Sequence, residues 1–183
     1  MQDLKERDRI EVERSAAEAT KTVLSPVEVD RYLDPVANTP YPLEYAFFLL
    51  GDVRGKTVLD LGCGTGENLI LLVKRGAVVI GMDISPELID LARQRVNNYG
   101  FSATLKVGSA YETGLPAGSV DVVFSMALLH HLDLPEVCTE INRVLRHGGL
   151  FILREPIRFS PTMRRRADSS PLPPQTFLTT NIP

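Results

Sequence analysis

The chain has no tryptophan, and only two cysteines and three histidines among its 183 residues. Cys63 and Cys138 share no short spacing with each other or with a histidine pair, so no metal site is expected. Free thiols of a cytoplasmic protein are the default reading of the two, with a disulfide as the alternative. Long apolar runs are missing as well. A stretch such as Leu69–Val73 falls far short of the ~20 residues that cross a bilayer, and no membrane partner is expected. Neither sign of charge dominates, with 20 Lys and Arg against 23 Asp and Glu. A net charge of −3 gives no general attraction toward nucleic acid or an anionic surface. Met1–Glu18 is crowded with charges and lacks the apolar core of a secretory signal. What remains, 44% apolar and 23% charged residues, is the composition of an ordinary soluble globular domain. The length suits one such domain with a sizeable core.

The chain reads in three parts: a helical extension over residues 1–40, a domain over 41–157 and an irregular or disordered tail over 158–183. Met1–Leu24 suggests a solvated helix, and Ser25-Pro26-Val27-Glu28 a capping box opening a second one. A further helix is predicted over Leu43–Leu50, stopped by Gly51. From Lys56 onward, short strands rich in Val, Ile and Leu alternate with helices. The strands are Val58–Leu61, Ala77–Met82, Ala103–Val107, Val120–Ser125 and Leu150–Leu153. Helices are expected from Glu67 to Lys74, from Ser85-Pro86 to Asn98, and from about Asp133. This pattern implies a doubly wound, mainly parallel Rossmann-like α/β sheet with helices on both faces.

The informative segment is Asp60-Leu61-Gly62-Cys63-Gly64-Thr65-Gly66-Glu67, between the first strand and its helix. Glycines at alternate positions let the backbone turn with positive φ and let a ligand lie on the main chain near the helix start. In doubly wound sheets that is where ligands bind. The next strand ends in Asp83, about 20 residues past the first glycine, the spacing at which an acid reaches both hydroxyls of an adenosine ribose. Two details separate the cofactors with this geometry. A dinucleotide needs a small residue where Glu67 stands. Asp60, an acid inside an apolar strand, would repel a pyrophosphate and attract an ammonium group. An NAD-dependent oxidoreductase is therefore a low-ranked alternative.

These residues resemble the class I S-adenosylmethionine-dependent methyltransferases. Asp60–Gly66 is similar to the family's first motif, and Gly81-Met82-Asp83-Ile84-Ser85 to its acidic second-strand motif. Gly108-Ser109-Ala110, Val120-Asp121-Val122-Val123, Leu128-Leu129-His130-His131-Leu132 and Arg143–Gly149 continue the likeness in family order. The resemblance implies S-adenosylmethionine as cofactor, a small-molecule acceptor, and methyl transfer as the activity. It implies that Gly62, Cys63, Gly64 and Gly66 line the methionine part, with Asp60 near its amino group. It implies that Asp83 and Ile84 border the ribose, Ser109 and Ala110 the adenine, and Met126 the sulfonium.

No catalytic residue is fixed by these patterns. His130 and His131 are candidate general bases, but a structural role is preferred, because a base must first reach a substrate proton. Tyr32, Tyr41 and Tyr45 read as core packing rather than site walls, Cys138 as a buried helix residue, and Glu155-Pro156 as a strand-ending turn. The segment Ser125-Met126-Ala127-Leu128 lacks the Asn/Asp-Pro-Pro pattern of relatives that methylate exocyclic or amide nitrogens. The family sheet usually ends in a helix and an antiparallel hairpin. Arg158–Pro183, with five prolines and the triplet Arg164-Arg165-Arg166, looks too short for both. The expectation is a sheet lacking its last two strands, an exposed fifth-strand edge and self-association through it. A catalytically inactive, S-adenosylmethionine-binding protein or partner subunit is accordingly the rival reading.

Overall fold

The computed structural model describes residues 2–156 and 175–181. Six strands form one sheet in the order β3-β2-β1-β4-β5-β6. They are β1 (Thr57–Leu61), β2 (Val78–Asp83), β3 (Thr104–Val107), β4 (Val120–Met126), β5 (Leu145–Pro156) and β6 (Gln175–Asn181). The first five run parallel, and β6 returns antiparallel to β5. The described helices are α1 (Gln2–Ala19), α2 (Asp30–Leu33), α3 (Pro42–Leu50), α4 (Glu67–Lys74), α5 (Pro86–Asn98) and α6 (Leu134–Val144).

Strand alternation sends neighbouring residues to two cores. Val58 and Phe124 pack with Phe47 of α3, Leu69–Leu72 of α4 and Ile89, Ala92 and Val96 of α5. Leu59, Leu61 and Val123 pack on the other face with Val137, Ile141 and Val144 of α6. The order reverses between β1 and β4, so the carboxyl end of β1 opens into the crevice where doubly wound sheets take ligands.

Four expectations are corrected. The Ser25–Glu28 capping box opens no helix, and only Asp30–Leu33 coils. Its backbone groups are used elsewhere: the Ser25 carbonyl accepts from Arg95 Nη1 at 2.7 Å, and Val27 N donates to the Tyr99 hydroxyl at 2.6 Å. These bonds hold the segment as an extended strap across α5. Cys138 is exposed rather than buried, because α6 buries Val137, Ile141 and Val144 and turns position 138 outward. The fifth strand, expected from Leu150, already pairs with β4 at Leu145, with an irregularity before Leu150. Gly149 fits there because a β-carbon would meet the Arg146 carbonyl oxygen at 2.8 Å.

The fourth correction concerns the fifth-strand edge. β6 pairs with β5 from Leu150↔Asn181 to Pro156↔Gln175, so that edge is covered rather than free for self-association. One antiparallel strand of the usual closing pair is thus present. Thr176-Phe177-Leu178-Thr179-Thr180 has the β-branched and aromatic content that favours a strand. The rest of the expected irregular tail, including Arg164–Arg166, lies outside the described residues.

Candidate active site

The glycine segment after β1 forms the floor of a cavity of about 670 Å³, within the roughly 300–1,000 Å³ usual for small-molecule sites. Gly62, Gly64 and Gly66 have φ of 76°, 51° and 81°, a region closed to most side chains. The turn is tied to β2, since Gly62 N and Cys63 N both donate to the Met82 carbonyl at 2.8 and 2.9 Å. The glycines differ in their surroundings. A β-carbon on Gly66 would stand 3.1 Å from the Ala92 backbone, and one on Gly62 3.0 Å from Leu128, whereas one on Gly64 would meet nothing within 4 Å. Gly66 and Gly62 therefore serve close packing within the protein. Gly64 leaves open the space that faces a ligand.

Asp60 sits under this loop in the middle of the sheet, with Gly81 and Phe124 as its strand neighbours. It is fully buried, and neither carboxylate oxygen has a hydrogen-bond partner. A buried ion without a partner is costly, so the group takes up a proton instead. Burial first, and the Asp83 charge second, push its pKa up to about 8.

Asp83 closes β2 at the cavity rim. Its Oδ2 accepts from Gly64 N at 2.9 Å, and its Oδ1 from Ser85 N at 3.0 Å. One side chain thus braces the glycine loop and the turn into α5, where Ser85 Oγ accepts from Leu88 N at 3.3 Å. Each oxygen keeps a second lone pair for a ligand hydroxyl. Burial raises the Asp83 pKa, and the backbone donors oppose that rise.

The opposite wall comes from the end of β4. Ala127 has a φ of 58°, unusual for a residue with a β-carbon, and its N–H donates to the Arg154 carbonyl at 2.7 Å. The chain then enters a 3₁₀ turn, Leu129–His131. Glu155 of β5 holds this turn. Its Oε1 accepts from Leu128 N and Leu129 N at 2.9 and 2.8 Å, and its Oε2 lies 2.7 Å from His130 Nδ1. The His131 ring lies 3.8 Å from that of His130, centre to centre, and its Nδ1 lies 3.8 Å from Glu11 of α1. Burial, then the neighbouring His130, lowers the His131 pKa.

Of the residues expected in a site, Gly62, Gly64, Asp83, Ile84, Ala110, Met126, His130 and His131 line the cavity. Asp60 lies beneath its floor, Cys63 is buried and Gly66 packs against α5. Ser109 is not among the lining residues, and its Oγ accepts from Tyr111 N at 3.3 Å. Tyr32, Tyr41 and Tyr45 are not among the lining residues. Tyr32 packs on Phe47 as expected, but Tyr41 is half exposed under Arg31 rather than part of the core.

Two contributors are undervalued by the sequence pattern. Glu155 reads as a strand-ending turn more readily than as a group facing substrate, although parallel β4 and β5 bring their carboxyl ends side by side. That placement was the available signal. The second is α1, which roofs the cavity with Arg7, Asp8, Glu11, Arg14, Ser15 and Glu18. Its sequence is charge-rich and carries only a loose apolar face, too weak a signal to announce a packed helix.

The sheet order, the glycine floor and the acid at the end of β2 define a nucleotide-type α/β site. The chain belongs to the methyltransferase-domain family, whose profile matches residues 59–153. It is 36% identical over 132 residues to an uncharacterised 37.1 kDa protein in a transposon of Streptomyces fradiae, covering 68% of this chain and 38% of that one. It is 36% identical over 107 residues to a demethylmenaquinone methyltransferase of Symbiobacterium thermophilum, covering 55% of this chain and 43% of the other. Among solved structures, a phosphoethanolamine N-methyltransferase of Haemonchus contortus in complex with phosphomonomethylethanolamine and S-adenosylhomocysteine superposes with a TM-score of 0.55. It is 25% identical, with 63% of this chain and 29% of the other covered. The chain thus spans less than half the length of these relatives.

Proposed function

We propose that this protein binds S-adenosylmethionine and transfers its methyl group to a small-molecule acceptor. The observation that carries the reading is Asp60, a fully buried carboxyl group with no partner, directly under a glycine loop that leaves room for a ligand. The cofactor's methionine ammonium is the cation that such a group would receive. A dinucleotide's pyrophosphate would instead meet the two acids Asp60 and Asp83. Glu67 also stands where dinucleotide sites need a small residue.

When bound, S-adenosylmethionine supplies a methyl group on a positively charged sulfur, which is already electrophilic. The protein's part is then placement and exclusion of water. Asp60 holds the ammonium end and the spare lone pairs of Asp83 hold the ribose hydroxyls. Ala110 and Met126 give apolar walls. The end of β4 and the underside of α1 enclose the space left for the acceptor. We place the protein in the cytoplasm, with the cofactor domain over residues 41–157 and α1 as part of the acceptor enclosure. The paired β5 edge favours an active enzyme over the inactive alternative, since β6 supplies a border that the rival reading lacks.

Calorimetric titration tests the reading. One equivalent of S-adenosylmethionine is expected to bind, and NAD to give no heat of binding. The reverse order would return the protein to the oxidoreductases.

The glycines give a sharper check. Gly64→Ala is expected to cost about 1–2 kcal/mol of stability through its left-handed backbone, yet to weaken S-adenosylmethionine binding at least tenfold. Gly66→Ala meets the Ala92 backbone and is expected to lose more stability. Denaturant melts and titrations of both variants compare the two losses. Unchanged affinity in folded Gly64→Ala protein would remove the loop from the cofactor site.

A further inference from the structure

The sequence pattern left His130 and His131 as alternatives and assigned no base. The structure sets them apart. Both line the cavity, but only His130 is tied through Nδ1 to a carboxylate, that of Glu155 at 2.7 Å. His131 faces Glu11 at 3.8 Å and has no carboxylate at hydrogen-bond distance. A carboxylate beside Nδ1 fixes the tautomer, because it accepts the Nδ1 proton and leaves Nε2 with a free lone pair. It also stabilises the imidazolium that forms when Nε2 takes a proton. Glu155 is held in turn by the Leu128 and Leu129 N–H groups, so the pair is placed by the sheet and not by a mobile loop.

We propose that His130 and Glu155 form a general-base dyad and that the acceptor reacts through a hydroxyl oxygen. The inference rests on the methyltransferase reading above. Its logic is the need for a base at all. A neutral amine attacks the methyl group with its own lone pair and sheds its proton afterwards, and a carboxylate is already ionised. A hydroxyl is a poor nucleophile until its proton leaves, so a positioned imidazole accelerates its reaction by roughly 10²–10⁴-fold. In the reaction the acceptor oxygen bonds to the methyl carbon as the carbon–sulfur bond breaks, and that electron pair remains on the now neutral sulfur. The O–H proton moves to His130 Nε2. Glu155 balances the imidazolium until the proton passes to solvent.

Glu155 also caps the 3₁₀ turn, and a purely structural role must be separated from the electrostatic one. Glu155→Gln does this, because the amide oxygen still accepts from the turn while the charge is lost. His130→Gln removes the base and keeps a polar side chain. The test supplies tritiated S-adenosylmethionine with a set of phenols and secondary alcohols, each beside its amine counterpart. Binding of the cofactor to every variant is measured separately by calorimetry.

We expect transfer to hydroxyl probes and not to the amines. His130→Gln is expected to lower kcat by 10²–10⁴-fold and Glu155→Gln by at least tenfold, with cofactor affinity unchanged. Nitrogen NMR of the neutral imidazoles should show His130 protonated at Nδ1 and bare at Nε2, whatever the acceptor.

A His130 carrying its proton on Nε2 would overturn the dyad. So would variants that keep kcat within threefold of the wild type. A protein that binds S-adenosylmethionine but methylates the amines, or none of the hydroxyl probes, would overturn the acceptor class. Failure to bind the cofactor would instead refute the methyltransferase reading itself.

Discussion

Asp60→Asn is expected to make the free protein more stable and its cofactor complex weaker. Both effects have one cause. With a pKa of about 8 in the folded state, Asp60 is neutral there at pH 7, while in the unfolded chain an aspartate is ionised above about 4. Below pH 4 both states hold the proton and nothing is lost. Between pH 4 and 8 only the unfolded state releases it, so native stability falls as the pH rises across that window. Asparagine has no proton to release. At pH 7 its substitution is expected to stabilise the free protein by a few kcal/mol, on the order of 1.4 kcal/mol for each pH unit of separation, less what a buried amide without partners costs. Losing a buried carboxylate–ammonium contact should weaken S-adenosylmethionine binding by roughly 10–100-fold. Denaturant melts at pH 5 and pH 8 check the first effect, and titration checks the second. A variant that is destabilised to the same degree at both pH values would mean that Asp60 is not held neutral.

Asp83→Ala is expected to weaken cofactor binding by at least tenfold and to leave the domain folded. The ribose hydrogen bonds to a carboxylate belong to the stronger class, at roughly 1.5–3 kcal/mol each. The same substitution frees Gly64 N and Ser85 N, so the loop loses a brace as well as a ligand contact. Asp83→Asn separates the two. Its amide oxygen can still accept from one of these N–H groups, so it should restore part of the stability and little of the affinity. Circular dichroism melts and titrations of both variants give the comparison. Near-unchanged affinity in the folded alanine variant would take Asp83 out of the site.

The legible parts of the chain were those where local chemistry and global position agree. Strands rich in Val and Leu, punctuated by Gly62, Gly64 and Gly66 and ended by Asp83, show the sheet and its ligand crevice without coordinates. Helix α4 was read from Glu67 to Lys74, and it has those bounds. The strap at Ser25–Val29 was misread because a capping pattern is a local preference. Arg95 and Tyr99 draw the same backbone groups into long-range bonds, and tertiary contacts win over propensity. Glu155 was undervalued for a related reason. Its partners, Leu128, Leu129 and His130, are about 25 residues away and become neighbours only when β4 and β5 pair. Helix α1 gave least warning. It roofs a cavity and not a core, so a loose apolar face suffices. The fifth-strand edge was misjudged because the strand that covers it follows a proline-rich stretch and meets its partner only in the folded sheet.

The most direct test of the account counts protons. S-adenosylmethionine binding to the wild-type protein is measured calorimetrically at pH 7 in two buffers of different ionisation enthalpy. If Asp60 is neutral when the site is free and ionised once an ammonium group lies above it, binding releases close to one proton. Affinity then rises by up to about tenfold per pH unit below pH 8, while the cofactor's amino group keeps its proton. The Asp60→Asn protein should release no such proton. Binding without proton release in the wild type would contradict the account, because the buried carboxyl would then not be what receives the cofactor.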